Sequence, residues 1–148
     1  MSVEQQNKRM NQKELELYKN WVDDVAQMST AVRLKVGAIA LDEHDDMICY
    51  GYNGTMRGDD NCCEYENELG ELVTLDSVIH AEQNVITHAA RRGSSLRNAT
   101  IVATHSPCMK CATLLVQSGV KRYYYKNAYR TFTEVFEKTK NRIEYIKL

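Results

Sequence analysis

The stretch SPCMKCATLL, Ser106 to Leu115, sets the only proline of the chain, Pro107, beside two of its five cysteines. Proline is well tolerated in the first turn of a helix, where its missing N–H costs nothing, so Pro107 marks a helix start. Cys108 and Cys111 are three residues apart and share one face of that first turn. A helix N-terminus carries partial positive charge and free N–H groups, which favour thiolate over thiol. Two converging thiolates there make a soft site suited to zinc. His80-Ala81-Glu82 opens the preceding helical run in the same way. His80 can supply a neutral imidazole ligand, and Glu82, two residues on, can reach over the metal from the side. Three protein ligands leave a fourth zinc position open, which is the catalytic arrangement, whereas structural sites are closed by four. Zinc brings the pKa of a bound water near neutrality, so the chemistry on offer is hydrolytic.

These side chains need elements to place them. The 148 residues are enough for one domain, taken as residues 1–148, with a real hydrophobic core. Residues Glu14 to Met28 put Leu15, Tyr18, Trp21, Val22 and Val25 at helical spacing. VGAIALD and MICYGYN, separated by Glu43-His44-Asp45-Asp46, read as an antiparallel hairpin. Gly51 to Ser77 is a long polar loop of the kind that carries function. IHAEQNVITHAARRG is then a helix capped by Gly93, ATIVAT a strand, CMKCATLLVQSG a helix and KRYYYK a strand. TFTEVFEKT and RIEYIKL add a last helix and a last strand. The alternation predicts an α/β fold, three layers αβα around a mixed five-stranded sheet. Catalytic groups in such sheets gather where strands end and helices begin, which is where both motifs fall.

Composition narrows the function classes. Hydrophobic residues make up 43% and charged residues 26%, as in ordinary globular proteins, and the net charge of -1 offers no global attraction to nucleic acid or anionic membranes. No apolar run has the length of a membrane span, and the polar start MSVEQQNKRMNQKELE is no secretory signal. A cytoplasmic protein is therefore expected, with reduced thiols, no membrane partner and no nucleic-acid partner. An odd number of cysteines there points to metal or catalytic work.

A lone Cys-x-x-Cys could be a redox pair, and a lone His-x-Glu says little. Together they match the His-x-Glu … Pro-Cys-x-x-Cys pattern of zinc deaminases acting on bases. The pieces STAVRLKVGAIA, GYNGT, DNCCE, IHAEQNVI, ATIVATHSPCMKCATLLVQSGVKRYYY and the later Tyr129 cover nearly the whole chain. On these the sequence resembles the cytidine and deoxycytidylate deaminase superfamily, and within it the deoxycytidylate (dCMP) deaminases. GYNG followed by HAEQN narrows the resemblance to nucleotide deamination, away from tRNA adenosine and riboflavin-pathway relatives.

The resemblance implies hydrolysis of dCMP to dUMP and ammonia, feeding thymidylate synthesis. It implies one catalytic Zn2+ per chain held by His80, Cys108 and Cys111, with the zinc-activated water as nucleophile at C4 and Glu82 as proton shuttle. It places the 2-oxo group of the pyrimidine near the Ala81 N–H, and a carbonyl of the Thr104–Ser106 segment near the 4-amino group. Asn53 matches a substrate-contacting asparagine; as an Asn-Gly pair it could equally be a turn residue. Ser29, Thr30 and Arg33 match the family's Ser-Thr-Cys-x-Arg stretch, with Ala31 in place of the cysteine, and would clamp the phosphate; a solvated helix end is the plainer alternative. Tyr125 and Tyr129 match tyrosines near the substrate, or pack in the core.

The family also implies a homohexamer activated by dCTP and inhibited by dTTP. The regulatory site would lie at Gly51, Tyr52, Asn53 and Gly54, with Mg2+ accompanying a triphosphate effector. Met56 replaces a proline common after GYNGT. Lys126, Asn127 and Arg130 stand where acidic residues are common in relatives. Cys49, Cys62 and Cys63 raise the question of a second, structural zinc, with buried free thiols as the commoner reading.

Overall fold

The computed structural model describes residues 9–148; the polar start from Met1 to Lys8 lies outside the described residues. Helix α1 (Gln12–Gln27) begins at Asn11, whose side chain accepts from the Lys13 N–H at 2.8 Å. It buries Tyr18, Val22 and Ala26, one stripe at helical spacing. Strands β1 (Gly37–Leu41) and β2 (Met47–Tyr52) pair antiparallel as the hairpin expected. Next come a short hairpin, β3 (Glu64–Glu66) with β4 (Leu72–Thr74), and helix α2 (Ala81–Arg92). Strand β5 (Thr100–His105), helix α3 (Met109–Gln117), strand β6 (Arg122–Asn127), helix α4 (Phe132–Thr139) and strand β7 (Glu144–Lys147) complete the order. The main sheet has five strands in the order β2-β1-β5-β6-β7. β1 runs antiparallel to β2 and β5, and β5, β6 and β7 run parallel, so the sheet is mixed.

Strand alternation builds a core on each face. Ala38, Ala40, Ile101, Ala103 and Tyr123 point to one side, where Ala81, Val85 and Ala89 of α2 and Leu115 of α3 meet them. Ile39, Leu41, Val102 and Tyr124 point to the other, where Tyr18 and Val22 of α1 cover them. The result is the αβα layering that the sequence predicts.

Two close approaches fix how near the helices lie. A Cβ at Gly37 would sit 2.6 Å from the Val22 carbonyl oxygen of α1. A Cβ at Gly51 would sit 2.6 Å from the Ala81 carbonyl oxygen and 2.9 Å from the Val85 nitrogen of α2. Glycine at 51 thus lets the first turn of α2 lie directly on β2. Gly93 ends α2 with φ 71°, a left-handed cap that glycine adopts without strain.

The hairpin β3–β4 stands in the stretch expected to be irregular loop. Its tip is organised by Asn67, whose side-chain oxygen accepts from the N–H groups of Leu69 and Glu71 at 3.0 and 2.9 Å. No helix among the described residues is long and apolar enough to cross a membrane.

Candidate active site

The two motifs meet because each stands at the start of a helix on the same face of the sheet. His80 is the residue before α2, and its backbone N–H is held by the Gln83 side chain at 2.8 Å. Cys108 is the corresponding residue before α3, its Sγ accepting from the Cys111 N–H at 3.5 Å. The sequence places Pro107 and both cysteines within the first turn; in the structure α3 begins at Met109, so Pro107 and Cys108 lie just ahead of it. The cysteines still converge. His80 Nδ1 lies 3.5 Å from Cys108 Sγ and 3.4 Å from Cys111 Sγ.

These separations test the fit to zinc. Zn–S and Zn–N bonds of about 2.3 and 2.0–2.1 Å at a tetrahedral angle put sulfur and nitrogen roughly 3.6 Å apart. The observed spacings agree, and the three ligand atoms all lie within 4.8 Å of one another. The thiols also share charge. Cys108 is pulled down to about 4, chiefly by the hydrogen bond from the Cys111 side chain, while Cys111 is pushed up, first by the same bond and then by burial. Its bond to Cys108 raises the His80 pKa. A site this rich in soft donors suits zinc.

Cys49, Cys62 and Cys63 make no second centre. Cys49 is buried in β2 with its Sγ 3.4 Å from the Val85 carbonyl oxygen, while Cys62 bonds the Glu64 carbonyl at 3.1 Å on the distant loop. Among the described residues, His80, Cys108 and Cys111 are the one group spaced to hold a metal.

Glu82 is only 3% exposed, and burial raises its pKa against the lowering effect of a hydrogen bond from Tyr123. It lines a cavity of about 550 Å³ together with His80, Ala81, Cys108 and Asn53. That volume suits a small organic ligand. Ala81 is the first residue of α2, so its N–H has no helical carbonyl to donate to. Of the three carbonyls in the Thr104–Ser106 segment, that of Thr104 accepts from Asn127 Nδ2 at 3.1 Å and that of His105 from the Tyr123 hydroxyl at 2.7 Å. Ser106 itself is fully buried and does not line the cavity.

The cavity is also lined by Arg33, Thr74, Arg130 and Thr131. Arg33 Nη1 donates to Thr74 Oγ1 at 3.1 Å, and neither arginine has an ion-pair partner among the described residues. Tyr129 also lines the cavity, stacked on His105 with ring centroids 5.3 Å apart.

Ser29, Thr30 and Tyr125 stand outside the lining. Ser29 is buried, and its hydroxyl donates to the Asn53 carbonyl at 2.7 Å and accepts from the Ala31 N–H at 3.2 Å. Thr30 donates to the Asn61 carbonyl at 2.9 Å. Both hydroxyls therefore shape the loop that leads to Arg33. The Tyr125 ring packs on Phe132, centroids 4.9 Å apart.

The Asn53 side chain accepts from Val36 N at 2.9 Å and donates to the Leu34 carbonyl at 2.8 Å, so it pins the same loop while facing the cavity. Gly54 pairs with Ile79, next to His80, and the Tyr52 carbonyl accepts from Asn84 Nδ2 at 2.8 Å. Residues 51–54 are thus tied to the start of α2.

The sequence reading did not select Tyr123, Arg130 or Thr131. Tyr123 carried a usable signal: strand alternation puts Tyr123 and Tyr125 on one face and Tyr124 on the other. Tyr125, the residue that the resemblance singles out, follows two residues along on the same face.

Known proteins agree with this geometry. The family profile described as the cytidine and deoxycytidylate deaminase zinc-binding region matches residues 12–127. The chain is 34% identical to the deoxycytidylate deaminase of Enterobacteria phage T4, with 71% of this chain and 73% of that protein covered. It is 35% identical to ComE operon protein 2 of Bacillus subtilis, over 84% of this chain and 66% of that one. Among solved structures, the dCMP deaminase of cyanophage S-TIM5 in complex with dCMP and dUMP superposes with a TM-score of 0.83 at 34% identity, covering 95% of this chain and 100% of that chain. With its His-Cys-Cys cluster, its buried glutamate and the sheet that brings them together, the chain belongs to the cytidine and deoxycytidylate deaminase family.

Proposed function

We propose that the protein hydrolyses dCMP to dUMP and ammonia. The observation that carries this reading is Glu82, a buried carboxylate opening on the same cavity as His80 and Cys108, with two arginines, Arg33 and Arg130, in the lining of that cavity. His80, Cys108 and Cys111 would hold zinc, which when bound supplies the Lewis acidity that makes water a nucleophile near neutral pH. Glu82 takes one water proton and passes it to N3 of cytosine, then takes the second from the hydroxyl added at C4 and delivers it to the departing amine, leaving the carbonyl of uracil. Burial suits it to this exchange, because a desolvated carboxylate holds a proton more readily than a solvated one. The Ala81 N–H meets the 2-oxo group and a carbonyl of the Thr104–Ser106 segment accepts from the 4-amino group, which together select cytosine. Release of one ammonia and one dUMP per dCMP consumed tests the reading. Recovery of dCMP unchanged after incubation with zinc-loaded protein would refute it.

The phosphate falls to Arg33, with Arg130 as a second cation and Ser29, Thr30 and Asn53 holding the Arg33 loop in place. Losing a charged hydrogen bond to substrate costs about 1.5–3 kcal/mol, so Arg33→Ala is expected to raise KM for dCMP roughly 10- to 150-fold. The same substitution should leave turnover of deoxycytidine, which has no phosphate, almost unchanged. An equal loss on both substrates would place Arg33 in the scaffold instead.

Regulation and assembly extend this proposal. The ties from residues 51–54 to the start of α2 give an effector at Gly51, Tyr52, Asn53 and Gly54 a direct mechanical route to His80. A homohexamer activated by dCTP with Mg2+ and inhibited by dTTP would show a sigmoidal rate curve that dCTP sharpens and dTTP suppresses. Hyperbolic kinetics indifferent to both nucleotides would remove the regulatory part.

A further inference from the structure

The Tyr123 side chain lies at the junction of three elements. It is fully buried on β6, and its hydroxyl is 2.7 Å from Glu82 Oε1 and 2.7 Å from the His105 carbonyl oxygen. Glu82 is the second residue of α2, two after His80; His105 ends β5, three before Cys108. One phenol therefore ties the residue beside one zinc ligand to the strand end that leads to the others.

A phenol has one proton and here faces two acceptors at equal distance. Shared between them, its hydroxyl anchors Glu82 Oε1 to the end of β5 in a dry site, where an unmet polar atom is costly. A phenylalanine would fill the same volume without either bond. Nothing in the packing of Tyr123 against Tyr145, ring centroids 5.8 Å apart, calls for a hydroxyl.

Resting on the deaminase reading of Glu82, we propose that Tyr123 is a positioning residue for the reaction: its hydroxyl fixes the Glu82 carboxyl group against the His105 carbonyl. Tyr123 touches neither substrate nor metal and acts only through Glu82. A positioning role predicts loss in turnover with binding intact.

The test is Tyr123→Phe, loaded with zinc and assayed on dCMP, with zinc content and dUMP affinity measured alongside. Loss of a hydrogen bond to a charged group, with the misalignment that follows, is expected to lower kcat about 10- to 100-fold. KM, dUMP affinity and zinc per chain should stay within about twofold on the same argument. A folded, zinc-replete variant with wild-type kcat overturns the inference, as does a rise in KM at constant kcat. Should the variant not fold, 3-fluorotyrosine placed at position 123 alone keeps the shape and alters the acidity of the phenol; kcat should then move at constant KM, and an unmoved kcat overturns the inference.

A thermal-unfolding cycle over Tyr123→Phe and Glu82→Ala, which removes the acceptor, reads the contact without turnover. Coupled losses are expected, and additive ones contradict it. Wild-type protein that leaves dCMP intact defeats the functional reading, whereas an active wild type with an unaffected variant defeats this inference alone.

Discussion

Glu82→Gln is expected to lower kcat for dCMP by about 10³- to 10⁴-fold, near the upper range for a general acid–base group. The substitution keeps shape and burial but removes the ability to take and return a proton. Its neighbours tolerate the amide: the Tyr123 hydroxyl can still donate to the amide oxygen, so packing at this 3% exposed position should persist. Zinc content should stay at one per chain, because Glu82 is not among the three ligand residues. Affinity for dUMP should change little, because the contacts proposed to select the base, the Ala81 N–H and a carbonyl of the Thr104–Ser106 segment, belong to the backbone. Steady-state kinetics with metal analysis checks all three quantities. A variant retaining more than about a tenth of wild-type kcat would take the proton chemistry away from Glu82, given the size of such effects.

Cys111→Ser is expected to abolish zinc retention and deamination together. Cys111 is fully buried at the start of α3, where its sulfur is 3.4 Å from His80 Nδ1. A serine oxygen is shorter-reaching and a harder donor, so the soft set that favours zinc loses a member. Chelation of the wild-type protein should reproduce the loss, and added zinc should restore activity to the wild type but not to the variant. The metal also contributes to folding, because it binds the native arrangement and not the unfolded chain. Metal-free wild type should therefore unfold at a lower temperature than the zinc-loaded form. Activity that survives complete zinc removal would contradict the assignment of His80, Cys108 and Cys111.

Most of this architecture was legible in the sequence, for identifiable reasons. The β1–β2 hairpin and the strands β5 and β6 are short apolar runs bounded by polar turns, and α2 and α3 begin at motifs whose side chains fit helix starts. The zinc set was legible because its chemistry is carried by residue type and spacing within two short segments. The β3–β4 hairpin was not, since a small exposed ribbon has no buried face to impose a period of two. Ser29 and Thr30 illustrate a second limit. Hydroxyls near an arginine look like a phosphate clamp, but here the loop backbone uses them first. Arg130 and Thr131 show the converse. They reach the cavity only because β6 carries the chain back beside β5, a neighbour relation that no local pattern encodes.

The measurement that bears most directly on the central claim is kcat/KM of the zinc-loaded protein for dCMP against deoxycytidine, cytidine and dCTP. The arrangement of Glu82 and the metal ligands in one cavity with Arg33 and Arg130 predicts dUMP formation with dCMP preferred to either nucleoside by at least about tenfold, the factor one charged hydrogen bond supplies. Equal or faster turnover of deoxycytidine, or no deamination of any of the four, would contradict it.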